Sequence, residues 1–216
     1  MPAAKYVRPT VWVPPTTSAV LQPQPPLAPS IPPSHVVDLM TEAGSTAFGA
    51  RWRVKEAKIV ECPALTNSMP EFKTTYDIEP HAELAGFDDS DWPVIAPADL
   101  SARRGGGLVS FIWFRTTLTI PANVAGFDTA GAKAVFRINV DDYADVWING
   151  TMLRTPGRPS PGAIQGFNMP NRVVLADRAV TPCEKFEIAV FAINGPISAA
   201  PGNFLFFREA KVEFFR

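Results

Sequence analysis

The densest run of side chains able to do acid–base or metal chemistry is Asp141, Asp142 and Asp145, set around Tyr143. Paired carboxylates serve glycoside cleavage, one giving a proton while the other attacks or activates water. Hard carboxylate oxygens also suit Ca²⁺, so a structural Ca²⁺ is a second reading of the same acids. Their spacing is not that of an EF-hand loop, which closes on a distal Glu. A solvated turn between two strands accounts for them without any chemistry. Imidazole chemistry has only His35 and His81 to draw on. The sequence holds no G-x-S-x-G elbow, no H-E-x-x-H and no P-loop. The run RRGGGL, residues 103–108, leads into no helix whose N-terminus could meet a phosphate, and it reads as a flexible loop. No cofactor motif stands out, and no nucleophile–base–orienter set appears.

Recognition residues are better represented. An aromatic face covers the apolar C–H patches of a ligand such as a sugar, while planar amides, guanidinium groups and carboxylates read its hydroxyls. Trp113, Tyr143, Phe167 and Asn168 fall near loop or strand ends, and Arg115 faces away from the apolar side of its strand. With Asp141 and Asp142 they form the candidate ligand-binding set. Trp92 and Trp147 read as core, whereas Tyr143, within the turn DDYAD, is the aromatic ring most readily exposed. Residues 155–171, TPGRPSPGAIQGFNMPN, form a long Gly/Pro-rich loop of the kind that binds or contacts a neighbour.

These residues need elements to position them, and the pattern supplies strands. In WFRTTLTIP, residues 113–121, Phe114, Thr116, Leu118 and Ile120 share one face while Arg115, Thr117 and Thr119 take the other. In KAVFRINVD, residues 133–141, Ala134, Phe136, Ile138 and Val140 oppose Val135, Arg137 and Asn139. Asn149-Gly150 supplies the positive φ angles of a type I′ hairpin turn. KFEIAVFAIN and FLFFREAKVEFF provide two more strands, the last with Phe206, Ala210, Val212 and Phe214 on one side and Arg208 intruding. No long 3.6-residue apolar stripe occurs. Only residues 34–44 suit one or two helical turns, with Ser34 as cap and Gly44 as stop. Seven or more strands spaced by Pro/Gly loops make an antiparallel sandwich, not a βαβ fold.

The chain has 216 residues, 46% of them hydrophobic and 19% charged, enough for a sizeable core. A net charge of -1 with scattered basic residues offers no nucleic-acid footprint. No segment reaches the ~20 apolar residues that span a bilayer. The N-terminus shows no signal-peptide pattern, so the expected location is the cytoplasm after synthesis, or a virion. Residues 1–45 carry VPP, PQPP and APSIPP and few aromatic residues. Proline withholds a backbone donor and fixes φ, so this stretch is read as an extended, largely polyproline II arm, with the sandwich in residues 46–216. An arm without a core of its own is ordered by a protein neighbour, which implies an oligomer or larger complex. Cys62 and Cys183 belong to no CxxC pair and read as buried, unpaired thiols.

Four segments in order also resemble a known family. GFDDSDWPVI (residues 86–95), WFRTTLTIP (113–121), AVFRINVDDYADVWINGTML (134–153) and FEIAVFAINGP (186–196) look like the galactose-binding-domain-like jelly roll. That fold is found in the sugar-binding domain of family-two glycoside hydrolases and in many α-L-rhamnosidases. The resemblance covers residues 51–216 and implies an all-β jelly-roll sandwich that is usually a non-catalytic accessory to a catalytic barrel. It implies a carbohydrate-binding module with no catalytic residues of its own, and the proline-rich arm, outside the resemblance, is read as docking it into a larger assembly. Two other readings stand beside it: a purely structural assembly protein, such as a virion decoration or tail component, and a non-catalytic subunit of a glycoside-degrading enzyme. One fold hosts many roles, so the site must decide.

Overall fold

The computed structural model describes residues 31–63, 74–106, 109–152, 170–176, 178–195 and 204–216. In chain order the elements are β1 (His35–Asp38), α1 (Glu42–Ala47), β2 (Trp52–Glu56), β3 (Lys58–Pro63), β4 (Thr74–Glu79), β5 (Val94–Ile95), a 3-10 turn (Pro97–Ser101), β6 (Ser110–Thr119), β7 (Asn123–Val124), β8 (Phe127–Asp128), β9 (Lys133–Asp141), β10 (Tyr143–Ile148), β11 (Asn171–Val174), β12 (Lys185–Asn194) and β13 (Phe206–Phe215). A four-stranded sheet runs β1-β13-β9-β11 and a five-stranded sheet runs β10-β12-β6-β2-β5. Every strand pairing is antiparallel. β3 pairs with β4 as a separate hairpin. No helix among the described residues is long and apolar enough to cross a membrane.

The two sheets pack face to face as an antiparallel jelly-roll sandwich. Alternation drives this: Phe114 and Leu118 of β6, Ile188 and Val190 of β12, Phe136 and Ile138 of β9, and Val212 and Phe214 of β13 all enter one buried cluster. Rings from opposite sheets touch across it. Trp52 meets Phe207 edge-on with centroids 5.7 Å apart, and Phe114 lies 4.6 Å from Phe207. Full burial of each such side chain contributes roughly 1.5–3 kcal/mol. The Asn149-Gly150 turn has φ of 49° and 76°, both in the left-handed region, as a type I′ hairpin requires. A Cβ on Gly150 would also meet the Ala85 backbone nitrogen at 2.7 Å, so glycine is required there twice over.

Three local features depart from the sequence reading. Residues 34–38 are not part of an extended arm or a helical turn. The Ser34 amide donates to Phe214 O at 2.7 Å, and β1 then pairs with β13 from His35–Phe214 to Asp38–Lys211. The partner strand lies at the far end of the sequence, and an edge position tolerates the preceding prolines. The helix starts later than expected and is capped by Thr41, whose Oγ1 accepts from the Gly44 amide at 3.1 Å. Gly44 is therefore no stop: a Cβ there would lie 1.9 Å from Asp38 O, so the residue allows α1 to sit against β1.

The second departure is in β13. The register slips between Phe207 and Glu209, leaving Arg208 as a β-bulge. Upstream of the bulge the faces exchange, so Phe207 is the core residue opposite Val140, and Phe206 is only half-buried. The third concerns the thiols. Neither cysteine is in a disulfide, but Cys62 is half-buried and Cys183 exposed rather than buried. Of the expected arm, residues 1–30 lie outside the described residues.

Candidate functional site

Two of the sequence-selected residues lie on the outer face of the five-stranded sheet. Alternation along β6 turns Phe111, Trp113 and Arg115 away from the main core, as expected. That face is nevertheless covered. Residues 80–92 cross it as a strap and place Ala82, Phe87 and Trp92 against Trp113, Phe191 and Ala189 in a second apolar cluster. Trp113 is 1% exposed and Arg115 4%. Trp147 packs 5.5 Å from Trp113, and Phe87 meets Trp92 edge-on at 5.5 Å.

Arg115 is the rivet of the strap. Its Nε donates to Asp89 Oδ2 at 2.9 Å, Nη1 donates to the Ala82 carbonyl, and Nη2 lies 3.4 Å from Glu187 Oε2. The guanidinium also stacks 5.4 Å from the Phe87 ring. Arg53 approaches the other oxygen of Asp89 at 3.4 Å and donates to the carbonyls of Ser90 and Trp92 at 3.1 and 2.8 Å. Glu187 accepts from the Gly86 amide at 2.8 Å. The run DDSDW is thus joined to WFR by a charge-assisted hydrogen bond from a buried guanidinium. Within the turn, Asp88 accepts from the Ser90 amide at 3.0 Å, and hydrogen bonds from Ser90 hold its carboxyl below its ordinary value.

The acids lie elsewhere. Asp141 ends β9 opposite Phe206, and Arg208 Nη2 donates to its Oδ2 at 2.6 Å. Asp142 is buried, its Oδ2 accepting from the Gly195 amide at 3.4 Å. Tyr143 is half-buried and begins β10 opposite Ile193. Asp145 stands two residues further on, opposite Phe191. Among the described residues, no three His, Cys, Asp or Glu side chains are grouped to hold a metal ion. Both histidines have packing roles: His35 stacks on Phe127 at 5.2 Å, and His81 sits between Glu83 at 3.0 Å and Asp77 at 3.6 Å. Phe167 and Asn168 lie outside the described residues.

Asp141, itself buried, and half-buried Tyr143 lie at one end of the sandwich, where residues not selected from the sequence gather around them. Leu205 forms a bridge with Arg104, the two backbones exchanging hydrogen bonds of 2.9 and 3.0 Å. This brings residues 103–106 beside the start of β13. Phe206 is flanked by two guanidinium groups, Arg208 at 5.2 Å and Arg103 at 6.0 Å from its centroid, and Arg103 also lies 5.9 Å from Phe204. Arg104 turns inward over Phe114 at 5.6 Å, and burial lowers its pKa despite the opposing charge of Asp99. The same loop continues through Gly105 and Gly106 into a cleft of about 380 Å³, walled by Glu56 and Ala57 after β2 and by Ser110 and Phe111 of β6. One signal for this cluster was present in the sequence: an arginine breaking the alternation of the last strand.

No family model matches this sequence, and no curated protein does. Solved structures do. A putative beta-galactosidase from Bacteroides fragilis is 17% identical with a TM-score of 0.45, over 83% of this chain and 23% of that one. A glycosyl hydrolase family 2 member from Bacteroides cellulosilyticus is 16% identical with a TM-score of 0.43, over 76% and 20%. Faecalibacterium prausnitzii beta-glucuronidase is 15% identical with a TM-score of 0.37, over 83% and 31%. The chain spans less than a third of each of these proteins. The antiparallel sandwich itself is the architecture that the resemblance to family-two sugar-binding domains implies.

Proposed function

We propose that this chain is a non-catalytic carbohydrate-binding module that holds a sugar at the loop end of its sandwich. The observation that carries the reading is the half-buried Phe206 ring within 6.0 Å of both Arg103 and Arg208, with Asp141 paired to Arg208 beside it. An aromatic face accepts sugar C–H groups, and the adjoining guanidinium and carboxylate groups offer donors and acceptors for hydroxyls. The cleft of about 380 Å³ at the same end is within the size range of small-ligand sites. Tyr143 remains in the proposed set, Asp141 is buried and acts through the Arg208 it holds, and Phe167 and Asn168 precede β11 in the sequence. Asp142 acts from behind, its carboxylate tied to the Gly195 amide. Trp113 and Arg115 drop out as contacts because the strap covers them.

A second proposal concerns assembly. β1 is an edge strand of the four-stranded sheet, and it carries exposed Val36, with exposed Ile31 just ahead of it. An unpaired edge is a template for another chain, and residues 1–30 precede it. We propose that this segment contacts a protein neighbour. The neighbour would be a glycoside-degrading enzyme or, if no sugar is bound, a virion-like assembly.

Both readings are tested on the full chain and on a chain starting at residue 31, since β1 belongs to the sandwich. Solution mass and a glycan array are measured for each. The expected outcome is that both forms bind the same glycan and only the full chain associates. An array blank for both forms would remove the carbohydrate reading and leave assembly, if the arm drives association.

A further inference from the structure

We propose that the sugar held at this end carries a carboxylate, and that Arg103 is the residue that reads it. This rests on the carbohydrate reading above and names its ligand class. Most other described arginines, Arg115, Arg137, Arg172 and Arg208 among them, reach a carboxylate of the protein. Among the described residues no carboxylate pairs with Arg103, which is exposed at the mouth of the loop end. It is not a loose side chain: its guanidinium lies 5.9 and 6.0 Å from the centroids of Phe204 and Phe206. Stacking occupies the flat face of a guanidinium and leaves its in-plane N–H donors free to meet a planar acceptor. A carboxylate matches that fork with two parallel hydrogen bonds, which a hydroxyl cannot do.

The rest of the cluster fits the same ligand. Arg208 is already bound to Asp141 at 2.6 Å, so the pair presents a near-neutral polar edge suited to hydroxyls. Phe206, within 6.0 Å of both guanidinium groups and only half-buried, offers its uncovered part to a sugar ring. The acid would therefore sit at Arg103 and the ring against the uncovered part of Phe206. Arg104 is not part of the reading set, because it points inward over Phe114 and donates to the Ala102 carbonyl at 2.9 Å.

The test uses the full chain, titrated with polygalacturonate, polyglucuronate and alginate and with the carboxyl-reduced, neutral counterpart of each, beside the neutral glycans of the array. At least one acidic polymer is expected to bind tenfold or more tighter than its neutral counterpart. The preference should weaken as salt is raised, because exposed charges are screened. Arg103→Gln, an exposed substitution whose thermal melt should match the wild type, is expected to remove the preference while keeping residual binding to the neutral form. Equal binding of acidic and neutral polymers would overturn the carboxylate assignment and leave the carbohydrate reading standing. A preference that survives in Arg103→Gln would overturn the role of Arg103. Binding to no polymer and no array glycan would overturn both readings.

Discussion

The outer faces of the two sheets are built from the same kind of strand and finished in opposite ways. On the five-stranded sheet, Trp113, Phe191 and Arg115 project outward and are roofed by the strap of residues 80–92. On the four-stranded sheet, Arg137, Arg172 and Lys211 project outward and interlock with Glu209 and Glu213 at 2.6–3.3 Å. The register sets Asp38, Lys211, Arg137 and Arg172 side by side across its four strands. Side-chain exposure is 5% for Arg115 but 35% for Arg137. Both are strand arginines bound to two carboxylates. A covering segment buries the first guanidinium, while the second keeps about a third of its side chain in water above Glu209 and the buried Glu213. The meaning of an outward-facing charge is thus set by what crosses the sheet, which alternation does not encode.

The largest way to break this contrast is to strip the roof. Trp92→Ala removes a buried indole that the strap lays on the sheet, and is expected to cost about 3–5 kcal/mol in urea unfolding. A loss below about 1 kcal/mol would mean that the strap is not packed on the sheet as described. The fasteners come next. Arg115→Met takes the donor from the buried Ala82 carbonyl and one cation from Asp89 and Glu187, and should cost about 2–3 kcal/mol. Arg137→Met, on the other sheet, should cost about 0–1 kcal/mol, because its own guanidinium is part-exposed and Lys211 and Arg172 still pair Glu209 and Glu213. Equal losses in the two variants would erase the distinction between the faces.

The smallest effect is in pH. Burial pushes the Glu209 carboxyl up, but hydrogen bonds and charge from Arg137 and Lys211 outweigh it and hold its pKa below the ordinary 4.5. A depressed acid lends stability that is fully present above its unfolded value and is lost as pH falls through the folded one. Acidification below about pH 4.5 should therefore weaken the four-stranded sheet slightly. Glu209→Gln should flatten that part of the stability profile, read as Tm between pH 6 and pH 3. An unchanged slope would show that the lattice contributes nothing measurable.

The sequence made some of this legible. Period-two alternation located β6 and β9 with the correct inward faces and β12 as a strand, and Asn149-Gly150 announced its hairpin because only one turn geometry needs two positive φ angles in a row. What stayed hidden was non-local. The partner of His35–Asp38 is the C-terminal strand, so β1 looked like the tail of a proline-rich arm. Arg115 looked available because Asp89, 26 residues away, and Glu187, 72 residues away, had no local signature of being its partners. At the loop end, a single bulge at Arg208 exchanged the roles of Phe206 and Phe207 and moved an aromatic ring from core to rim. Arg103 was read as part of a glycine-rich loop because its stacking partners, Phe204 and Phe206, follow about a hundred positions later.

The central claim is that the loop end is the working surface and the roofed face is not. It is tested most directly by titrating the best array glycan into wild type, Phe206→Ala and Trp147→Phe. The account predicts at least a tenfold weaker Kd for Phe206→Ala, with the Trp147→Phe variant unchanged. Loss of binding in Trp147→Phe, with Phe206→Ala indistinguishable from wild type, would contradict it.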